Sequence, residues 1–163
     1  MSYTVRGTPG KAVVIFLPGA DAKGIQLDSA RLGDTLLVVP DVAVRRTQGK
    51  ASTTRPPPQL QLFVEVVQSS SVARGWACSL LGFSRGAFWA SYFALHMPRL
   101  SKLAVLGYYP EPGEEASQSQ LHGAALKMPT LLLMSEADPP LACFPKRSHS
   151  HVACRAVPRN FST

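Results

Sequence analysis

The chain has 163 residues, of which 45% are hydrophobic and 17% charged, and its formal net charge is +7. A chain of this length buries roughly two thirds of the surface exposed when it is unfolded, so the composition excludes a disordered or disulfide-dependent protein. The longest apolar runs, residues 12–17 and 128–134, are far shorter than the roughly 20 residues of a membrane-spanning helix, and the first residues do not have the pattern of a secretory signal.

Five short apolar runs predict the strands of a buried sheet. They cover residues 12–17, 35–39, 76–81, 103–106 and 130–134. Continuous rather than alternating hydrophobicity is typical of strands that are covered on both faces. The segments between the runs, such as residues 21–32, are long enough for crossover connections, so neighbouring strands are expected to be parallel.

Two helices are predicted between these strands. Residues 87–97 contain neither glycine nor proline and end before Pro98, which predicts a buried helix. Apolar residues also recur at helical spacing from 60 to 67, ahead of the serines 69–71, and indicate a helix of about ten residues. An amphipathic strand remains the alternative for that segment. Residues 43–59 are polar and rich in proline, so they are predicted to form an exposed loop.

Alternating strands and helices predict an α/β protein with a mostly parallel sheet and flanking helices. We expect one domain over residues 1–163, with its core at about 11–141 and a shortened C-terminal part. Residues 144–163 contain no convincing apolar run, so an irregular basic tail is predicted there.

A nucleophile is predicted in the sequence Gly82-Phe83-Ser84-Arg85-Gly86. A Gly-x-Ser-x-Gly match alone is a weak signal, but this one lies between a predicted strand and a predicted helix, the setting of a nucleophile elbow. The serine of such a turn has a strained backbone, and only small neighbours let strand and helix pass close to it. Ser84 is therefore the predicted nucleophile.

An oxyanion hole is predicted beside this serine. The turn directs the backbone N–H of Arg85 towards the developing oxyanion, at the positive end of the following helix. The second donor is expected from the loop after the early strand, where we predict the N–H of Ala20, with Gly19 as the alternative.

A base and an acid are needed to activate a serine hydroxyl, and in this arrangement they follow it in the order acid, then histidine. Asp138 follows the strand run at 130–134 and is the predicted acid, with Glu136 as the substitute. Chain order selects His149 or His151 as the base, although they follow Asp138 unusually closely. The two histidines lack nearby partner ligands, so no metal is predicted, and a solvated tail is the alternative interpretation.

The chain resembles the phospholipase/carboxylesterase group of α/β-hydrolases, which includes acyl-protein thioesterases and dienelactone-hydrolase-like enzymes. The likeness covers residues 11–141 and depends on three blocks: residues 13–20, 81–87 and 129–139. It implies Ser84 as the nucleophile, Asp138 as the acid, and the backbones of Arg85 and Ala20 as oxyanion donors. Pro18 stands where the group usually has histidine, and its catalytic histidine has no clean counterpart here.

The predicted function is hydrolysis of a carboxylic ester or thioester through an acyl-enzyme on Ser84, without a cofactor. The alternative is a catalytically inactive hydrolase fold that acts as a binding module. Basic residues are spread along the chain, so a solvated basic surface is expected rather than a specific nucleic-acid partner. An odd number of cysteines, without paired spacing, indicates a reduced, cytoplasmic compartment.

Overall fold

The computed structural model describes residues 2–19, 33–41, 56–107, 123–124, 127–135 and 152–157. Within these ranges the regular elements are β1 (Tyr3–Arg6), β2 (Ala12–Leu17), β3 (Thr35–Pro40), α1 (Pro58–Ala73), β4 (Ala77–Phe83), α2 (Arg85–His96), β5 (Lys102–Leu106), β6 (Thr130–Ser135) and β7 (Val152–Val157). The five predicted strands and both predicted helices are present.

The strands form one sheet with the order β1-β3-β2-β4-β5-β6-β7. Six of them, β2 to β7, run parallel, and β1 pairs antiparallel with β3 at one edge. The predicted mostly parallel sheet with flanking helices is confirmed. Because β4 lies in the middle of this order, its carboxyl end is flanked by the loops that follow β2 and β5.

The core of the described residues lies between one face of the sheet and the two helices. Ile15 and Leu17 of β2 and Leu80 of β4 are almost completely buried against residues of α1 and α2. Eight of the α2 residues are buried, including Phe88 and Trp89, as expected for a helix that is apolar on most of its circumference. Of the helices described, none is long and apolar enough to cross a membrane.

Two strands were not predicted from the sequence, and both lie at edges of the sheet. All four residues of β1 are exposed, so the strand has no buried run and is formed by pairing with β3. The irregular tail predicted for 144–163 is wrong for the six residues of β7. Its sequence is interrupted by Arg155, and the strand arises from parallel pairing with β6 along its whole length.

Helix α1 is longer than predicted at both ends. It begins at Pro58, inside the predicted loop, because proline at the first helical position has the right φ and loses no intrahelical hydrogen bond. It also continues through the serine run that was expected to break it. The hydroxyl of Ser71 donates to the carbonyl oxygen of Val67 at 2.7 Å, so this buried serine is satisfied within the helix.

Candidate active site

Ser84 lies at the junction of the central strand and the helix that follows it. Its backbone N–H donates to the carbonyl oxygen of Leu106 at 2.9 Å, which extends the β4–β5 ladder to the end of β4. Its own carbonyl oxygen accepts from the N–H of Ala87 at 2.9 Å, at the start of α2. The serine is therefore held from both sides at the carboxyl edge of the sheet.

The backbone of Ser84 has φ 52° and ψ −122°. A non-glycine residue with this combination lies outside the common conformations, at a cost of about 1 to 3 kcal/mol that the surrounding structure must offset. The residue is half-buried, and its side chain makes no capping hydrogen bond to α2 although it occupies the N-cap position. The strain and the uncommitted cap position distinguish Ser84 from a serine that merely starts a helix.

The two glycines of the motif are required by close packing of backbone on backbone. A Cβ added to Gly82 would come within 2.5 Å of the Cα of Ala87. A Cβ added to Gly86 would come within 1.9 Å of the carbonyl oxygen of Leu17. Gly82 therefore lets α2 pass close to β4, the strand that precedes it, and Gly86 lets α2 pass close to β2.

Gly19, in the loop after β2, lies directly beside the serine. A Cβ at Gly19 would be 2.9 Å from the Cβ of Ser84 and 3.1 Å from the carbonyl oxygen of Phe83. The loop and the β4–α2 turn are thus in contact at backbone level. This places the segment in which the second oxyanion donor was predicted next to Ser84.

The N-terminus of α2 presents its first backbone N–H groups at the same edge. Arg85 is the first helical residue, and the helix dipole makes this end of α2 partly positive. The guanidinium of Arg85 lies over the rings of Phe88 and Trp89, at 5.0 and 5.8 Å from the ring centroids. Its side chain is thereby folded along the helix.

Among the predicted site residues, the structure brings Ser84, Arg85 and the alternative donor Gly19 together at the carboxyl edge of the sheet. Ala20, Asp138, Glu136, His149 and His151 lie outside the described residues. In the chain, Asp138 follows the end of β6 at Ser135. Strand β7 begins at Val152, which pairs with Thr130 at the amino edge of the sheet, so the chain enters β7 from the edge opposite Ser84.

One neighbour of the serine was not singled out from the sequence. The half-buried ring of Phe83 reaches the loops on both sides of β4, near Gly19 and Gly107. No motif marks a residue that flanks a nucleophile in this way. Only the position of the two loops shows which side chain lies between them.

No protein-family model matches this chain, and a search of the curated proteins finds no match. Solved structures do resemble it. TT1662 from Thermus thermophilus superimposes with a TM-score of 0.55 at 19% identity, over 96% of this chain and 84% of the other. MenH from S. aureus gives a TM-score of 0.58 at 12% identity, over 96% and 89%.

A third similar structure is MGS-MChE2, an α/β-hydrolase enzyme from the metagenome of sediments of the Mar Chica lagoon in Morocco. It superimposes with a TM-score of 0.53 at 13% identity, over 96% of this chain and 84% of the other. At these identities the likeness is one of fold. The chain has the α/β-hydrolase fold, with Ser84 at the turn between its central strand and the next helix.

Proposed function

We propose that the protein is a serine hydrolase that cleaves a carboxylic ester or thioester through an acyl-enzyme on Ser84. The observation that carries the proposal is the conformation of Ser84, with φ 52° and ψ −122°, between two glycines that tolerate no side chain. Backbone strain of this size is retained where it serves a site, and here it holds a serine at the carboxyl edge of a hydrolase fold.

The proposed reaction has two steps. The Oγ of Ser84 attacks the carbonyl carbon and gives its proton to a histidine, the C–O or C–S bond to the leaving group breaks, and the histidine returns that proton to the departing alcohol or thiol. Water then attacks the acyl carbon and gives a proton to the same histidine. The bond between the acyl carbon and Oγ breaks and the histidine returns the proton to Oγ, which releases the carboxylic acid and restores the serine. The backbone N–H groups of Arg85 and of Ala20 or Gly19 stabilise the oxyanion in both steps.

Asp138 is proposed as the acid. Chain order proposes His149 or His151 as the base, although β7 begins one residue after His151 at the edge of the sheet opposite Ser84, so this assignment needs its own test. We expect His149→Ala or His151→Ala, whichever removes the base, to lower the esterase rate by about 10⁴-fold or more, and Asp138→Asn to lower it by about 10⁴-fold. If both histidine variants keep full activity, the base is another residue and the assignment is wrong. His96, which ends α2, and His122 would then be replaced in the same way.

The experiment that tests the function is intact-mass analysis after treatment with a fluorophosphonate. We expect one adduct on the wild-type chain and none on Ser84→Ala. Ser79→Ala is the matched control, because Ser79 is a half-buried serine on β4, the strand that leads into Ser84, and this variant must label like the wild type. A folded wild-type chain without any adduct would favour the catalytically inactive interpretation instead.

We also propose a family group, a cellular location and a substrate class for the protein. Membership of the phospholipase/carboxylesterase group is supported by the three sequence blocks on which the resemblance depends. A cytoplasmic location is supported by the odd number of cysteines, and a small acyl compound rather than a nucleic acid is the proposed partner.

A further inference from the structure

Phe83 immediately precedes Ser84 and belongs to the opposite face of the sheet from the helices. Successive side chains of a strand alternate between faces, and the preceding residue, Gly82, lies against Ala87 of α2. Phe83 pairs side by side with Leu106 in the β4–β5 ladder. Its ring therefore stands at the carboxyl end of the sheet, on the face away from α2.

The ring and the serine share one neighbour. A Cβ at Gly19 would be 2.9 Å from the Cβ of Ser84 and 3.4 Å from the Cδ1 of Phe83. The serine and the ring thus converge on the same glycine, and each is half-buried rather than enclosed. An apolar group attached near the scissile carbonyl would meet this ring.

Gly107 lies against the other side of the ring. A Cβ at Gly107 would be 3.5 Å from the Cε2 of Phe83, and among the described residues other than its chain neighbours it would meet only this ring within 4 Å. Gly107 has φ +55°, a conformation that disfavours any residue with a side chain. Gly107 itself therefore places no side chain beside the ring.

We propose that Phe83 is a specificity-determining residue whose ring receives an apolar group of the substrate, on the acyl side or on the alcohol side of the scissile bond. The proposal depends on the hydrolase function of Ser84. It adds the substrate class, which is an ester or thioester with an apolar substituent larger than methyl next to the reacting carbonyl.

The test measures kcat/KM in two ester series. One series is p-nitrophenyl acetate, butyrate and hexanoate, which lengthens the acyl group, and the other is ethyl, butyl and hexyl acetate, which lengthens the alcohol. We expect the wild type to favour the longest member over the shortest by about ten-fold or more in at least one series, since even one methylene in an apolar pocket is worth about ten-fold. The series with the preference identifies the side that Phe83 contacts.

Phe83→Ala is expected to reduce that preference by about ten-fold, and Phe83→Leu to retain part of it. Phe63→Ala is the matched control, because Phe63 is also a half-buried phenylalanine but lies on α1 against Tyr3, and its loss must leave the preference unchanged. Equal preferences in the wild type and Phe83→Ala would overturn the proposal. A wild type that favours the shortest ester in both series would also overturn it. That measurement does not depend on whether any variant folds.

Fluorophosphonate labelling separates the two proposals. A chain that labels at Ser84 but has no preference for apolar groups retains the hydrolase function and refutes the role of Phe83. A folded chain that neither labels nor hydrolyses any ester refutes the hydrolase function, and the role of Phe83 with it.

Discussion

Gly86 and Leu17 are in contact through their backbones. The Cα of Gly86 lies so close to the carbonyl group of Leu17 that an added Cβ would be 1.9 Å from its oxygen. This contact joins the first turn of α2 to the end of β2. Gly19 follows Leu17 by two residues, in the loop after that strand. The position of α2 therefore depends on Gly86, which has no side chain. The N–H groups at the start of α2 lie beside Ser84 only in this position.

Gly86→Ala should therefore destabilise the protein, although alanine is the better helix former by about 1 kcal/mol. We expect a loss of about 3 kcal/mol or more in the free energy of unfolding, because a backbone carbonyl cannot move away as a side chain can. Urea denaturation measures it. Gly75→Ala is the control, since a Cβ there would meet no other described residue within 4 Å apart from its chain neighbours, and φ +69° opposes it by about 1 kcal/mol. Equal losses in the two variants would contradict the contact.

The strain at Ser84 predicts an unusual order of stabilities. Ser84→Gly should be more stable than Ser84→Ala by about 1 kcal/mol, because both lose the hydroxyl but only glycine adopts φ 52° without strain. The same pair at Ser91, inside α2, should have the opposite sign, with glycine less stable than alanine by about 1 kcal/mol. Thermal or urea unfolding of the four variants would decide, and the same sign at both positions would refute strain at Ser84.

Gly19→Ala is expected to damage the site more than the fold. Its Cβ would be 2.9 Å from the Cβ of Ser84, so the serine or the loop must shift by a few tenths of an ångström or more. We expect fluorophosphonate labelling to slow by about 100-fold, since small displacements of reacting groups have effects of this size, with an unfolding penalty of about 1 to 3 kcal/mol. Gly33→Ala, where the added Cβ would meet no described residue within 4 Å apart from its chain neighbours, should label at the wild-type rate. Unimpaired labelling of Gly19→Ala would argue against a functional role for this loop.

Burial of Cys78 predicts a pH dependence of stability. Removal of the thiol from water raises its pKa from 9.0 to about 11, although a hydrogen bond with Ser71 acts in the opposite direction. In the unfolded chain the thiol ionises near pH 9, whereas in the folded chain it stays protonated. The contribution of the buried thiol to the free energy of unfolding is therefore fully present below pH 9. It is lost as the pH rises to about 11, and the loss is about 2 to 3 kcal/mol.

Cys78→Val removes this titration while it keeps an apolar side chain in the core. The stability difference between the wild type and this variant should be constant below pH 9 and should then shift in favour of the variant up to pH 11. Lysines and tyrosines titrate in the same range, but they are present in both chains, so their contribution to the pH dependence of stability cancels in the comparison. A constant difference across the whole range would show that the thiol is not as buried as the structure has it.

The strands that sequence analysis located are those whose own residues form a buried run. Thr130–Ser135 and Ala12–Leu17 are apolar enough to be recognised without any partner. Tyr3–Arg6 and Val152–Val157 are not, because an edge strand with exposed or interrupted residues is stabilised by hydrogen bonds to a neighbour that is distant in the chain. The length of α1 was underestimated for a similar reason, since Ser71 is buried by tertiary packing that local propensity does not contain.

The candidate site divides in the same way. The motif and its place between strand and helix predicted Ser84 as the nucleophile, because the turn chemistry is local and needs only small residues around the serine. Asp138, His149 and His151 were selected by chain order alone, and they lie outside the described residues, so the base and acid remain predictions.

The sequence by itself determined the α/β class, the central strands and the place of Ser84 between a strand and a helix, since each depends on residues that are adjacent in the chain. Tertiary structure alone decided that Gly19 lies against Ser84 and that Gly107 lies against the ring of Phe83, because these residues follow or end three different strands and meet only when β2, β4 and β5 are aligned in parallel. Alignment of parallel strands brings their carboxyl ends to one edge, and the packing there depends on distances between backbones that no local pattern encodes.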